Sequence, residues 1–184
     1  MMDPIVDFYA GNGTDHRGRT IEDVWAFNRD ELEGVHDYIQ WLFPTDRPSS
    51  FNPRAPVLHA DSIGELRALP DLATRVQRSL DLLLEFYGLR RRIDGSTVVI
   101  EPSPTLDERG PRWWGAGNHN HLRLTRIISS LGMLGLDAEA VALERVLRCI
   151  RRDHRTGISE ETARYWAAAA ANARTDPRNG STPR

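Results

Sequence analysis

The stretch HDYIQWLFPTDRPSSFNPRAPVL, from His36 to Leu58, decides how the chain is organised. Its first part places apolar side chains at the 3.6-residue period of a helix, and Pro44 ends that helix. Its second part is a loop with several prolines, which restrict the backbone and reduce the entropy lost on ordering. The pattern therefore predicts a helix followed by an irregular but restrained loop.

The helical period continues on both sides of this stretch. Asn28 is predicted to cap the helix that runs on to Phe43, with Glu31 completing a capping box. Other helices are predicted where capping residues precede an apolar stripe or a glycine ends it. They are a short helix after Thr20 and helices over 62–69, 71–87, 118–134, 137–152 and 159–173. Residues 8–19 and 102–117 are predicted as loops.

One segment has a different period. LRRRIDGSTVVIE, from Leu89 to Glu101, alternates around Asp94-Gly95, which predicts a β-hairpin with a type I′ turn. The predicted fold class is mainly α, a single compact helical domain with a small β-hairpin insertion near residues 89–101. We expect the domain to span residues 1–173 and residues 174–184, which have nothing to bury, to form a disordered tail.

Composition excludes several classes of protein. The 184 residues carry a formal net charge of -2, so no global field draws the chain to nucleic acid or anionic lipid. No segment approaches the roughly 18 apolar residues of a membrane span, and the start lacks the features of a secretion signal. A soluble, cytoplasmic protein is expected. A single cysteine excludes an intrachain disulfide, and the common catalytic motifs are absent.

The helix in the opening stretch carries polar side chains beside apolar ones. On a continuous helix His36 lies one turn from Gln40, and Asp37 lies one turn from Trp41. These residues, with Asn52 in the following loop, are candidates for a ligand pocket whose floor is Trp41. Alternatively, His36 lies at the edge of the core and is hydrogen-bonded for stability alone. Both interpretations remain open.

A second polar block, NHNH from Asn118 to His121, lies at a predicted helix start. Backbone N–H groups and the helix dipole attract an anionic ligand group there, and they favour the neutral form of a histidine. Capping alone explains one of the two asparagines, Asn118 and Asn120. His119 and His121 point about 200° apart on a regular helix, which weakens a metal site. If a metal is present, the candidate ligands are His36, His119 and His121.

Trp113 and Trp114 precede this block. One ring of such a pair is expected in the core and the other at the surface, as a lid or a stacking platform for a ligand. Alternatively, the pair fills a gap between two helical halves.

Several motifs together resemble the conserved N-terminal region of the opioid growth factor receptor family. They are FYAG at 8–11, HDYIQWLFP at 36–44, FNPRAPVL at 51–58 and NHNHLRLTRIISSL at 118–131. The resemblance implies a helical domain with a polar cluster built from His36, Asp37, Gln40, Asn118, His119 and Asn120. The vertebrate member is a receptor for the opioid pentapeptide Met-enkephalin, and the resemblance implies no catalytic residue.

Three functions follow as hypotheses. The first is a module that binds a small molecule or short peptide between the His36 helix and the Asn118 helix start. The second is an acid/base or metal-assisted enzyme that uses His36, His119 and His121. The third is a structural or interaction domain. The residues favour binding, and they identify no cofactor, ligand or oligomeric state.

Overall fold

The computed structural model describes residues 3–49 and 52–175, with side chains described up to residue 173. The chain divides into two compact units, residues 1–82 and residues 83–184. In the described ranges the elements are ten α-helices, a short 3-10 turn and one two-stranded antiparallel sheet. The mainly α fold class with a small hairpin is therefore confirmed. None of the described helices is long and apolar enough to cross a membrane.

The helices that begin in the first unit are mostly short. They are α1 (Pro4–Ala10), α2 (Ile21–Trp25), α3 (Arg29–Gly34), α4 (Ile39–Leu42), α5 (Ala60–Arg67) and α6 (Leu72–Tyr87). The prediction missed α1, because seven residues give less than two full turns of apolar period. Its local signals are nevertheless clear, since the Asp3 side chain accepts from the Ile5 N–H and Gly11 ends it at φ 79°.

The helix predicted to run from Asn28 to Phe43 is in fact two helices. α3 starts with the predicted capping box, in which the Asn28 side chain accepts from the Glu31 N–H and the Glu31 carboxylate accepts from the Asn28 N–H. The helix then ends at Gly34, and Val35 is extended with φ -87° and ψ 127°. The capping prediction is confirmed, whereas the prediction of a continuous helix is wrong.

Side-chain contacts hold the break between α3 and α4. The Tyr38 hydroxyl donates to the Leu32 carbonyl at 2.9 Å, which satisfies an acceptor at the end of α3. Asp37 turns instead toward Arg19, whose Nη2 donates to its carboxylate at 2.7 Å. His36 therefore lies outside both helices and is exposed, so the helical spacing assumed for it is wrong.

The second unit contains the hairpin and the longer helices. After the carboxyl end of α6 come β1 (Leu89–Asp94), β2 (Thr97–Pro102), α7 (Leu106–Arg109), a 3-10 turn (Gly110–Arg112), α8 (Asn120–Met133), α9 (Asp137–Asp153) and α10 (Glu160–Thr175). Helices α8, α9 and α10 pack against one another and bury their apolar faces. The loop predicted over 102–117 thus contains α7 and the 3-10 turn, which are too short to show a period.

The hairpin forms where it was predicted, with its turn displaced by one residue. The register pairs Asp94 with Thr97, so Asp94 belongs to the strand and the turn residues are Gly95 and Ser96. Gly95 has φ 61°, and no non-glycine residue in the described ranges has a positive φ. Glycine at the first turn position is typical of a type II′ turn, which replaces the predicted type I′ turn.

The last helix extends to Thr175, two residues beyond its predicted end at Ala173. The remainder of the predicted tail, residues 176–184, lies outside the described residues, as do residues 50 and 51 of the proline loop. The domain boundary at residue 173 stays a prediction.

Candidate functional site

The predicted site residues are distributed over the two units. The first unit contains His36, Asp37, Gln40, Trp41 and Asn52. The second contains Trp113, Trp114, Asn118, His119, Asn120 and His121. Within each unit the structure shows which residues meet, while the pocket between the two groups stays a prediction.

In the first unit, Trp41 meets a histidine that the sequence analysis did not single out. Trp41 is 4% exposed, and its indole N–H donates to His16 Nδ1 at 3.1 Å. The two rings are stacked with centroids 6.2 Å apart. Because Nδ1 accepts this bond, the imidazole carries its proton on Nε2, which lies 3.4 Å from the Asp37 carboxylate. His16 therefore takes the place beside Trp41 that was predicted for His36.

Asp37 is the centre of an ion-pair network. Arg17 Nε donates to its carboxylate at 2.9 Å and Arg19 Nη2 donates at 2.7 Å. Partial burial raises the pKa of Asp37, but the hydrogen bonds from Arg19 and Arg17 outweigh it and leave the pKa below its usual value. Arg19 also binds the buried Asp15 through Nε at 2.6 Å. The carboxylate of Asp37 is thus occupied by neighbours in its own unit.

The remaining candidates of the first unit also contact their own neighbours. Gln40 is buried, and with its amide oriented to satisfy both partners, its nitrogen donates to the Asp37 and His36 carbonyls at 3.2 and 3.3 Å. Asn52 is buried, and its Oδ1 accepts from the Arg54 N–H at 3.1 Å. Its Nδ2 has no hydrogen-bond partner among the described residues. Both amide side chains thus bond to backbone groups only a few residues away, which is typical of residues that stabilise the local fold.

In the second unit, Trp113 and His121 form a closed buried network. The Trp113 indole N–H donates to the Tyr87 carbonyl at 3.1 Å, and the Trp113 carbonyl lies 3.0 Å from His121 Nε2. Asn120 Oδ1 accepts from the Tyr87 hydroxyl at 3.2 Å, and the His121 carbonyl accepts from the Trp166 indole at 3.2 Å. Buried polar groups that are paired in this way fix a unique packing arrangement.

The predicted lowering of a histidine pKa at this helix start holds for His121, but its cause is different. Burial, rather than the helix dipole, lowers the pKa of His121, and the hydrogen bond to the Trp113 carbonyl opposes that effect. The neutral ring donates from Nε2 to that carbonyl, so this nitrogen is engaged in the fold.

α8 begins at Asn120, two residues later than predicted, and His119 rather than Asn118 is at its N-cap position. Asn118 still supplies a capping hydrogen bond at the helix start. Its Oδ1 accepts from the Asn120 N–H at 2.9 Å, and its Nδ2 donates to the Arg112 carbonyl at 2.9 Å. His119 is exposed, whereas His121 is buried, so the two rings lie in different environments. In the chain as described, no three His, Cys, Asp or Glu side chains are grouped so that they could hold a metal ion.

Trp113 is buried, as predicted for one ring of the pair, whereas Trp114 is half-buried rather than fully at the surface. The Trp114 ring lies 4.9 Å from the His154 ring, and it packs so closely on Gly110 that a Cβ there would lie 2.1 Å from Trp114 Cζ2. The indole Nε1 is buried and has no hydrogen-bond partner in the part of the chain that the structure describes. Trp114 thus combines a partly accessible aromatic ring with an unused donor.

Arg109 is a second residue that the sequence analysis did not single out. Its side chain is buried, and its Nε and Nη2 have no hydrogen-bond partner among residues 3–49 and 52–173. The nearest carboxylate oxygen with which it forms an ion pair is Glu108 Oε1, 3.7 Å from Nη2. An arginine at the end of a short charged segment looks solvated in the sequence, so no local signal predicts this burial.

Comparison with known proteins places these residues in a family. The model of the family described as "Opioid growth factor receptor (OGFr) conserved region" matches residues 7–176. The human opioid growth factor receptor is 37% identical over 159 residues, which cover 83% of this chain and 23% of that protein. Opioid growth factor receptor-like protein 1 of Xenopus tropicalis is 32% identical over 123 residues, which cover 65% of this chain and 23% of that protein.

The chain spans about a quarter of the length of these curated relatives. No solved structure matches it. Because the family model extends over nearly all of the described residues, the chain belongs to the opioid growth factor receptor conserved-region family.

Proposed function

We propose that this chain is a recognition domain that binds a small molecule or a short peptide at Trp114. The relatives at 35–37% identity are named opioid growth factor receptors, which supports a binding role. The proposal concerns the segment between the hairpin and α8, where Trp114 lies close to the cap residue Asn118 and the exposed His119 in the sequence.

A comparison of the five tryptophans carries this proposal. Four of the indole N–H groups donate to acceptors in the fold, namely those of Trp25, Trp41, Trp113 and Trp166. The indole N–H of Trp114 is buried, and none of the described residues supplies an acceptor for it. A buried donor without an acceptor costs about 1–3 kcal/mol, and a ligand that supplies an acceptor recovers that energy.

The ring of Trp114 adds a second reason. The half-buried indole presents part of an apolar ring on which an aromatic or aliphatic ligand group can pack. In this proposal Trp113, Asn120 and His121 support the site from the core, because their polar groups are already paired within the fold.

The experiment measures the ligand-dependent change in melting temperature and in tryptophan fluorescence. The probe is Met-enkephalin, with unrelated pentapeptides for comparison. Trp114→Ala removes the ring and the donor, whereas Trp114→Phe keeps a ring without the donor. Tyr165→Ala is the control, because Tyr165 is 57% exposed on another helix of the same unit. We expect a shift in the native protein and the control, a smaller shift in Trp114→Phe and none in Trp114→Ala.

Equal shifts in the native protein and in Trp114→Ala would contradict the proposal. A structural or interaction role is the alternative, and the closed networks around Trp41 and Trp113 favour it. In that case Trp114→Ala changes the melting temperature in the absence of peptide, and none of the peptides changes it further.

A further inference from the structure

The unpartnered atoms of Arg109 have the geometry of an anion-binding fork. The residue is 4% exposed, and within the described ranges neither Nε nor Nη2 has a hydrogen-bond partner. These two N–H groups lie on the same edge of the planar guanidinium. They therefore point in parallel and match the two oxygens of a carboxylate or a phosphate.

The positive charge of Arg109 is also poorly compensated by the residues around it. Arginine stays protonated in proteins, and a buried cation without a close anion destabilises the folded state. Glu108 lies 3.7 Å from Nη2, too far for a hydrogen bond, and its side chain is 65% exposed. Solvent screens that ion pair. A water molecule would accept the two hydrogen bonds but would leave the charge unpaired, so an anion is the better partner.

A third donor lies in the same segment. The Trp114 Nε1 atom is also buried without a partner, and the Trp114 ring packs on Gly110, which directly follows Arg109. All three unpartnered atoms of residues 109–114 are donors, and none is an acceptor. A set of donors without an acceptor is complementary to an oxyanion.

The start of α8, which was predicted to attract an anionic group, is less suited to it. The Asn120 N–H already donates to the Asn118 side chain, and the His121 N–H donates to the Asn118 carbonyl at 3.0 Å. A helix end whose N–H groups are capped offers fewer donors to an anion. Among the described residues of this unit, the buried nitrogen donors without a partner lie instead at Arg109 and Trp114.

We propose that Arg109, together with the indole N–H of Trp114, forms a subsite for an oxyanion. The subsite takes the carboxylate or phosphate group of the ligand, with two oxygens on the arginine fork. This inference deepens the proposed function and rests on it, because it assigns the charged part of the ligand that Trp114 recognises.

The test uses simple anions, so that it does not depend on knowing the ligand. The melting temperature is measured in sodium acetate and in sodium phosphate against sodium chloride at equal ionic strength. Arg109→Met removes the charge at similar length, and Arg109→Lys keeps the charge without the fork. Arg112→Met is the matched control, because Arg112 is exposed three residues further on.

We expect acetate or phosphate to raise the melting temperature of the native protein and of Arg112→Met. At roughly ten times the dissociation constant the rise is about 3–6 °C. It is absent in Arg109→Met and reduced in Arg109→Lys. A response to acetate alone assigns the subsite to carboxylates, and a response to phosphate alone assigns it to phosphates.

A second measurement keeps the test valid if a variant loses stability. In protein with 15N-labelled arginine, the Nε–H resonance that is missing from Arg109→Lys belongs to Arg109, and it should move when the anion is added. Equal anion responses in the native protein and in Arg109→Met, or no response of the native protein to either anion, would overturn the proposal. Peptide binding that depends on Trp114 but not on the anion subsite would leave the proposed function intact.

Discussion

The regions around Trp41 and Trp114 differ in whether their buried polar groups are hydrogen-bonded. At Trp41 the indole donates to His16, and the neighbouring Asp37 receives donors from Arg17 and Arg19. At Trp114 the indole N–H finds no acceptor among the residues that the structure describes. A paired polar network strengthens one unique packing, whereas unpaired donors leave free energy that a ligand can recover. On this contrast rests the proposal that the Trp41 region maintains the fold and that the Trp114 region binds a ligand.

The largest effect that separates the two regions is expected for Trp41→Ala. Removing a buried tryptophan leaves a cavity and leaves His16 without its donor, so the free energy of unfolding should fall by about 3–5 kcal/mol. Trp114→Ala should cost less, because the ring is half-exposed and its N–H makes no bond. Urea unfolding measures both, and an equal loss in the two variants would remove the distinction.

A smaller loss is expected for Arg19→Met. The Asp15 carboxylate is fully buried and binds Arg19 through its side chain, so this variant leaves a buried charge without its partner. Breaking such a pair costs about 3 kcal/mol. Arg17→Met is the control, because Arg17 binds Asp37 with a side chain that is 65% exposed, and it should cost less than about 1 kcal/mol. An equal loss in the free energy of unfolding of the two variants would show that the buried pair of Arg19 with Asp15 stabilises the fold no more than the exposed pair of Arg17 with Asp37.

The pH dependence of stability tests the network around His121. Burial lowers the pKa of His121 in the folded state below its usual value of 6.5, so the unfolded state binds more protons in the window just below that pH. The stabilising contribution is present above the unfolded pKa and is lost as the pH falls through the folded pKa. Melting temperatures between pH 7 and pH 5 should therefore fall more steeply in the native protein than in His121→Gln. Parallel profiles would argue against a buried neutral His121.

The smallest effect is expected for Trp114→Phe without ligand. The variant removes a donor that has no partner and keeps most of the ring, so the free energy of unfolding should change by less than about 1 kcal/mol or should rise slightly. The matched variant Trp41→Phe removes a donor that is paired with His16, and it should cost about 1–2 kcal/mol. Equal effects in the two variants would mean that the Trp114 donor is satisfied in solution.

Elements with local signals were predictable from the sequence. The capping box at Asn28, the helix α6 with Gly88 after it and the hairpin from Leu89 each depend on residues that are neighbours in the chain. The break after Gly34 was not predictable in this way, because Asp37 is drawn away from a helix by Arg19, which lies 18 residues earlier in the sequence.

The site was less predictable than the fold for the same reason. Trp114 was one of the candidates because one of two adjacent tryptophans usually lies at a surface, and its role in a site stays a prediction. His16 and Arg109 were missed, since the first lies in a glycine-containing loop and the second beside acidic residues. Whether such a side chain is buried, and whether its polar atoms find partners, depends on tertiary packing rather than on neighbouring residues.

The contrast between paired and unpaired polar groups is measured most directly by replacing one arginine in each region, Arg19 and Arg109, with methionine. In buffer without acetate or phosphate, urea unfolding of Arg109→Met should give a free energy of unfolding about 1 kcal/mol above that of the native protein, because an uncompensated buried charge is removed. Arg19→Met should give a value well below it. A loss in Arg109→Met comparable to that in Arg19→Met would show that Arg109 is paired within the fold, and it would contradict an open anion subsite.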